Sequence, residues 1–394
     1  FPAGVYRSGG LILKDHVTLY LDNGAVLLGS DKLDDYPKIR PDFRSYTDRY
    51  THSALIYGEG LQHVAIHGLG TIDGQGGAFS GDYLLRPFLI RFVGCTDVSL
   101  RDVTLTNPAM WTVHFLACDR VNVDGIVIRS RCNKNNDGID IDSCRGVRVA
   151  NCDISSGDDA IVLKSTSYRL CEDVVITNCV LSTDCNAIKL GTESHGGFKR
   201  VSVSNCVIRD THLAGVAIEM VDGGVLDGVA VSNLAMENVS APVFIRLGNR
   251  ARTFEEGQPV PGVGRLENVS ISNITATGAD RIGCSITGQE GYPVRNIAID
   301  QVRIEFAGGG TRGDARSTPR ELPDKYPEYN MFGVLPAYGF YVRHAENLRF
   351  NGIELSAKNE DARPAMLFED VKELSLSRVR AQVFPRQNAL LRLI

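Results

Sequence analysis

Asp137, Asp158 and Asp159 stand at equivalent places in two consecutive units of a repeat, in the strings Asn135-Asn136-Asp137-Gly138-Ile139-Asp140 and Gly157-Asp158-Asp159-Ala160-Ile161. Stacking such units brings the three carboxyl groups onto one outer face. Carboxyls held that close suit cleavage of a glycosidic bond, in which one group donates a proton and another activates water or attacks. Like charges in a small volume also raise at least one pKa, as a proton donor working near neutrality requires. A single Asp-Asp pair beside a turn is ordinarily a solvated surface feature. Three acids converging among polar neighbours favour the functional reading.

The elements that must position them are legible as a repeat. Val98-Ser99-Leu100, Val121-Asn122-Val123, Val147-Arg148-Val149, Val174-Val175-Ile176, Val201-Ser202-Val203, Val229-Ala230-Val231 and Val269-Ser270-Ile271 mark one unit recurring at roughly 23 to 28 residues with one longer step, and further copies begin near Ile297, Leu348 and Leu374. Apolar and polar residues alternate within each unit, and Gly, Asn or Asp mark the corners, so the unit is built of short half-buried strands. Asn151, Asn178, Asn205, Asn233 and Asn273 share one corner, where asparagine tolerates left-handed backbone and its amide can reach the copy above. Units this short exclude propeller blades and lack helical-repeat patterns. The expected fold is all-β: a right-handed single-stranded parallel β-helix of about ten rungs, one domain over 1–394. Surface insertions are expected near 250–264 and 308–338; the second carries Tyr326, Tyr329, Phe332 and Tyr338 and reads equally as a lid over one end of a cleft or as a loop packed on the coil.

A second strand follows the corner in each rung. With Ile141, Leu163, Leu190, Ile218 and Leu247 pointing inward, alternation sends Asp137, Asp140, Asp142, Asp159, Val162, Lys164, Asn186, Lys189, Glu219 and Arg246 outward onto one strip. Trp111-Thr112-Val113-His114-Phe115 fits the same frame and adds His114. Lys189 pairing with Glu219 or Glu193, and Arg246 with Asp222, as plain ion pairs are the structural alternatives. Isolated histidines such as His195, His212 and His344 read as structural. No spacing of Cys and His suggests zinc, no Gly-rich phosphate loop precedes a helix, and the Asp137, Asp140, Asp142 run lacks the rest of a calcium loop. No metal and no cofactor is expected.

Composition narrows the partners. The chain has 43% hydrophobic and 23% charged residues over 394 positions and a net charge of −5, with no apolar stretch near the roughly 20 residues of a membrane span. Neither nucleic acid nor an anionic membrane is an expected partner, because both call for a basic face. The ten cysteines fall mostly in two columns, Cys95, Cys118, Cys144 and Cys171 before the strand valine and Cys152, Cys179 and Cys206 after the turn asparagine, and are expected as buried thiols rather than bridges between rungs. Residue 1 opens inside a Phe1-Pro2-Ala3-Gly4 turn, so a natural start with any signal peptide is expected upstream.

The chain resembles the polygalacturonase-like enzymes of glycoside hydrolase family 28. Gly70-Thr71-Ile72-Asp73-Gly74-Gln75-Gly76 resembles the family's early Gly-rich turn, Asn107-Pro108-Ala109-Met110-Trp111 its Asn-Ser-Pro-x-Trp string, Asn135-Asn136-Asp137 its Asn-Thr-Asp motif and Gly157-Asp158-Asp159 its Gly-Asp-Asp motif. The resemblance implies a right-handed parallel β-helix that cleaves pectic chains with inversion, with Asp158 as general acid and Asp137 and Asp159 activating water. Two positions depart from the pattern. Cys185-Asn186-Ala187 stands where the family has Gly-His-Gly, and Ala217-Ile218-Glu219 where it has the Arg-x-Lys that holds a galacturonate carboxylate. Losing two charge-assisted contacts and gaining an anion argues for a rebuilt subsite: either Lys189 and Arg246 supply cations from a shifted position, or Glu219 bonds the hydroxyls of a neutral or 6-deoxy sugar.

Together these readings give an inverting glycoside hydrolase, exo-acting and secreted or periplasmic, for a plant or algal cell-wall glycan of pectic type. His114, Asn135, Asp140, Lys164, Asn186, Lys189, Glu219 and Arg246 are the candidate substrate contacts. A β-helix polysaccharide lyase using Lys189 or His114, and a catalytically inactive glycan-binding solenoid, are the alternatives.

Overall fold

Strands dominate the computed structural model, which describes residues 1–255, 257–385 and 387–394, and helix is confined to short 3-10 turns. No helix among the described residues is long and apolar enough to cross a membrane. The chain divides into two compact units, Phe1–Cys185 with Thr253–Gln258, and Asn186–Arg252 with Pro259–Ile394.

In the first unit each strand pairs in parallel with the strand three places later, so three sheets run side by side and the chain completes one coil every three strands. One sheet is Ala54–Glu59, Phe88–Val93, Val113–Leu116, Ile139–Asp142 and Ile161–Ser165. A second is Gln62–Gly68, Thr96–Arg101, Asp119–Asp124, Arg145–Ala150 and Cys171–Thr177. The third is Thr71–Asp73, Thr104–Thr106, Val127–Ser130, Asp153–Ser156 and Val180–Thr183. Val98, Val121, Val147 and Val174 stack in the interior with Leu100, Val123, Val149 and Ile176.

In the second unit the corners are so smooth that whole coils run as long strands, Phe198–Met220, Val225–Leu247, Arg265–Ala279, Val294–Phe306, Phe340–Ala357 and Met366–Ser377, in parallel register. Left-handed residues recur every five positions and bend these strands: Arg200, Asn205 and Asp210 in one, Gly228, Asn233 and Asn238 in the next. The shared asparagine corner forms the anticipated ladder, with Asn233 Nδ2 donating to Asn205 Oδ1 at 3.0 Å and Asn273 Nδ2 to Asn233 Oδ1 at 3.1 Å. A second ladder, Asn268, Asn296 and Asn347, lies at the preceding corner. Both units are coils of right-handed parallel β-helix.

The ten cysteines remain thiols, and both expected columns are buried. The insertion of 308–338 packs on the second unit's coil: Tyr329 sits among Ala214, Ala217, Ala241 and Phe244, and donates to Asp280 at 2.7 Å. Tyr338 is wholly buried, whereas Tyr326 is exposed.

Candidate active site

In the first unit, the loop before Asp137 is tied down by its own amides. Asn136 is fully buried; its Nδ2 donates to the carbonyls of Pro108 and Met110 at 3.0 Å, and its Oδ1 accepts from the backbone of Cys132 and Asn133. Asn133 reaches back to the carbonyls of Gly76 and Phe79. Glycine at 76 is required by close approach, because a Cβ there would overlap the carbonyl of Pro108. The Gly-rich turn, the Asn-Pro-x-x-Trp string and the Asn-Asn-Asp motif are therefore one packed substructure. Asn135 does not stand open: its Oδ1 accepts from Arg86 at 2.9 Å.

The Asp158 turn is fastened by hydroxyls. Ser156 and Thr183 both donate to the Asp158 carbonyl, and Asp158 Oδ1 accepts from the Asp159 backbone at 2.9 Å. Carboxylate oxygens of Asp158 and Asp159 and the Cys185 sulfur lie within 4.8 Å of one another. Burial, then the charges of Asp158 and Asp159, drive the Cys185 thiol far above its ordinary pKa, so it stays protonated. Asp137 is only 3% exposed, and its Oδ1 meets no donor among the described residues. Burial first, then Asp140, Asp158 and Asp159, push the Asp137 carboxyl well above the usual carboxylate range, with Lys164 opposing. Asp140 is raised likewise, chiefly by burial. Lys164 stands 3.6 Å from Asp137 and 3.4 Å from Asp140, with its ammonium over the Trp111 ring. Crowding these acids around one cation makes it costly to ionise all of them together, the kind of setting in which acid-base catalysis operates.

Side chains directed away from the coil interior are not thereby solvated: Asp140, Asp142, His114, Asn186 and Glu219 are all wholly buried. His114 stacks on Phe88 and meets Asp142 at 3.3 Å, and burial lowers its pKa to about 4. Asp142 also accepts from the Thr166 amide at 3.0 Å and hydroxyl at 2.6 Å. His114 and Asp142 thus brace the coil.

An expected outcome follows for Asp140. Its folded pKa lies above the unfolded value, so ionising it costs folded-state stability as pH rises from the ordinary carboxylate range through the raised pKa. Asp140→Asn should raise the melting temperature by at least about 2 °C at pH 8 and leave it unchanged near pH 3; equal shifts at both would contradict the raised pKa.

In the second unit, Glu219 and Arg246 are neighbours in register, as are Arg246 and Thr287. Arg246 Nη1 donates to the Gly288 carbonyl at 2.9 Å and Nη2 to the Glu321 carbonyl at 2.6 Å, and burial lowers its pKa to about 10. It fastens the insertion to the coil. Asp222, the partner the sequence offered for Arg246, is paired with Arg250. Lys189 meets carboxylates instead, Glu219 at 3.6 Å and Glu328 of the insertion at 3.7 Å. The space above Ala217 is filled by Tyr329. Cys185, Tyr326 and Glu328 were not singled out as site residues from the sequence; for Tyr329 the run of small residues Ala214, Ala217 and Ala241 was a usable signal.

A family model described as glycosyl hydrolases family 28 matches residues 39–320. The chain belongs to that family. Among family relatives, a probable polygalacturonase of Vitis vinifera is 39% identical over 179 residues, covering 42% of this chain and 36% of that protein. An exo-poly-alpha-D-galacturonosidase of Dickeya chrysanthemi is 28% identical over 214 residues, covering 41% and 35% respectively. The chain thus spans about a third of the length of these two relatives. The family 28 exopolygalacturonase of Yersinia enterocolitica has the same fold, with a TM-score of 0.70 at 19% identity over 97% of this chain and 72% of that one.

Proposed function

We propose that the protein is an inverting glycoside hydrolase that removes residues from the ends of pectic chains of galacturonan or rhamnogalacturonan type. The observation that carries this reading is the grouping of acids around the Asp137 carboxyl, which is buried, has no donor on Oδ1 and is pushed well above its usual range by burial first and then by Asp140 and Asp158. Burying like charges costs stability, so their grouping favours catalysis over passive glycan binding. Asp158, only partly buried, takes the role of proton donor, with Asp137 and Asp159 orienting and activating water. The exo assignment is supported by the likeness to the Dickeya chrysanthemi exo-enzyme. Action outside the cytoplasm, secreted or periplasmic, fits a polymeric substrate too large to enter a cell.

A lyase would need a base that reaches a sugar, and His114 is wholly enclosed. Incubation with homogalacturonan and rhamnogalacturonan oligomers should release reducing ends without ultraviolet absorbance from unsaturated uronates. Proton NMR of the first-formed product should show the inverted anomer. A retained anomer or unsaturated products would refute the proposal.

A further inference from the structure

Asn186 and Lys189 form a carboxylate receptor within the second unit. Asn186 is wholly buried and its orientation is fixed, because Oδ1 accepts from the Ala214 backbone at 3.0 Å; Nδ2 is thereby turned to Glu328 Oε2 at 3.4 Å. Lys189 is 2% exposed, 3.7 Å from Glu328 Oε1 and 3.3 Å from the Tyr326 hydroxyl, with its ammonium 5.3 Å from the centre of that ring. One oxygen of Glu328 thus faces a fixed amide and the other a buried cation. Glu328 itself is partly exposed and belongs to an insertion rather than to the coil. Beneath it, Glu219 already faces Lys189. The Glu328 carboxylate therefore shares the Lys189 ammonium with Glu219 and is held by a loop.

We propose that this receptor binds the carboxylate of a uronic acid residue of the substrate, and that Glu328 is an internal competitor which the sugar displaces. The proposal rests on the hydrolase reading for the identity of the polymer, but it concerns recognition. It gives the loss of the Arg-x-Lys pair a physical answer: Tyr329 fills the space above Ala217, and selectivity for charge moves to Lys189 and Asn186. Exchange of one carboxylate for another conserves the local charge, so the receptor is never left with an uncompensated lysine or an extra buried anion. Tyr326 lies across the same ammonium, with the Arg250 guanidinium 5.5 Å from its ring centre.

The test is calorimetric titration of the whole protein with galacturonate and digalacturonate, and with galactose as the neutral probe. Glu328→Gln should tighten uronate binding at least about fivefold, which is roughly 1 kcal/mol, and leave galactose unchanged. Lys189→Met alone would take a cation from the buried Glu219, so the double variant Lys189→Met/Glu219→Gln is used, and its uronate preference over galactose should disappear. If Glu328→Gln changes both sugars equally, or if the double variant keeps the preference, the receptor assignment is wrong. Failure of every form to bind uronate also overturns it. Binding is read without turnover, so uronate selectivity in a protein that releases no reducing ends would refute the hydrolase while sustaining the receptor.

Discussion

Replacing Asp158 with asparagine is expected to lower kcat on pectic oligomers by about 10^2- to 10^4-fold, the range general acid catalysis contributes. The fold should survive. An asparagine Oδ1 can still accept from the Asp159 amide, and the carbonyl at 158 remains held by Ser156 and Thr183. The decisive comparison is with an aryl galacturonide whose leaving group departs without protonation. There Asp158→Asn should cost much less, whereas Asp137→Asn and Asp159→Asn should impair both substrates alike, because water activation is needed for either. Equal losses on both substrates for Asp158→Asn would remove it as proton donor.

Arg363→Met should bring the largest loss of stability. Arg363 and Asp361 are wholly buried and paired through two contacts, Nε to Oδ1 at 3.0 Å and Nη2 to Oδ2 at 2.7 Å. Arg363 Nη1 also donates to the carbonyls of Ile282, Leu335 and Ala337, tying the end of the insertion to the coil. Breaking a buried pair from one side costs about 3 to 5 kcal/mol, because the remaining charge is stranded. A fall in melting temperature of about 4 to 6 °C is expected. Burial works against the charged form of Asp361, but the Arg363 contacts hold its pKa below the usual range. Its contribution is therefore present above the ordinary carboxylate pKa and lost as pH falls through the depressed value, so the difference between Arg363→Met and the parent should narrow in strong acid. Arg363→Met/Asp361→Asn should regain part of the loss. A single variant as stable as the parent would contradict this account.

The coil was legible because its repeat writes the same physics many times. Aliphatic residues in register and inward alternation recur from rung to rung, and asparagine takes the left-handed corner at Asn151, Asn178, Asn205, Asn233 and Asn273. The neighbouring corner was only partly legible: Asp97, Arg120, Asp173 and Arg200 share left-handed backbone there without a common side-chain chemistry, and asparagine takes that column only at Asn268, Asn296 and Asn347. The three catalytic candidates were legible because they lie in adjacent copies, whereas Glu328 and Tyr326 reach Lys189 from a segment without periodicity. Exposure was missed: Asp140, Asp142, Asn186 and Glu219, expected to face outward, are wholly buried. Period-two alternation says which way a side chain leaves the strand, but not whether a loop covers it afterwards.

The column of Glu219, Arg246 and Thr287 also bears on how the chain finds its register. Val216-Ala217-Ile218, Val243-Phe244-Ile245 and their equivalents present almost interchangeable apolar faces, so a slip of two residues would still bury hydrophobic groups. Such a slip would set Arg246 opposite Ala217 or Val221 and leave Glu219 facing Phe244 or Gly248. Each stranded charge would penalise the misaligned coil far more than the core could. Ionic side chains covered by the insertion are thus expected to disfavour misaligned coils, and a variant stripped of them should fold into mixed alignments rather than merely melt earlier.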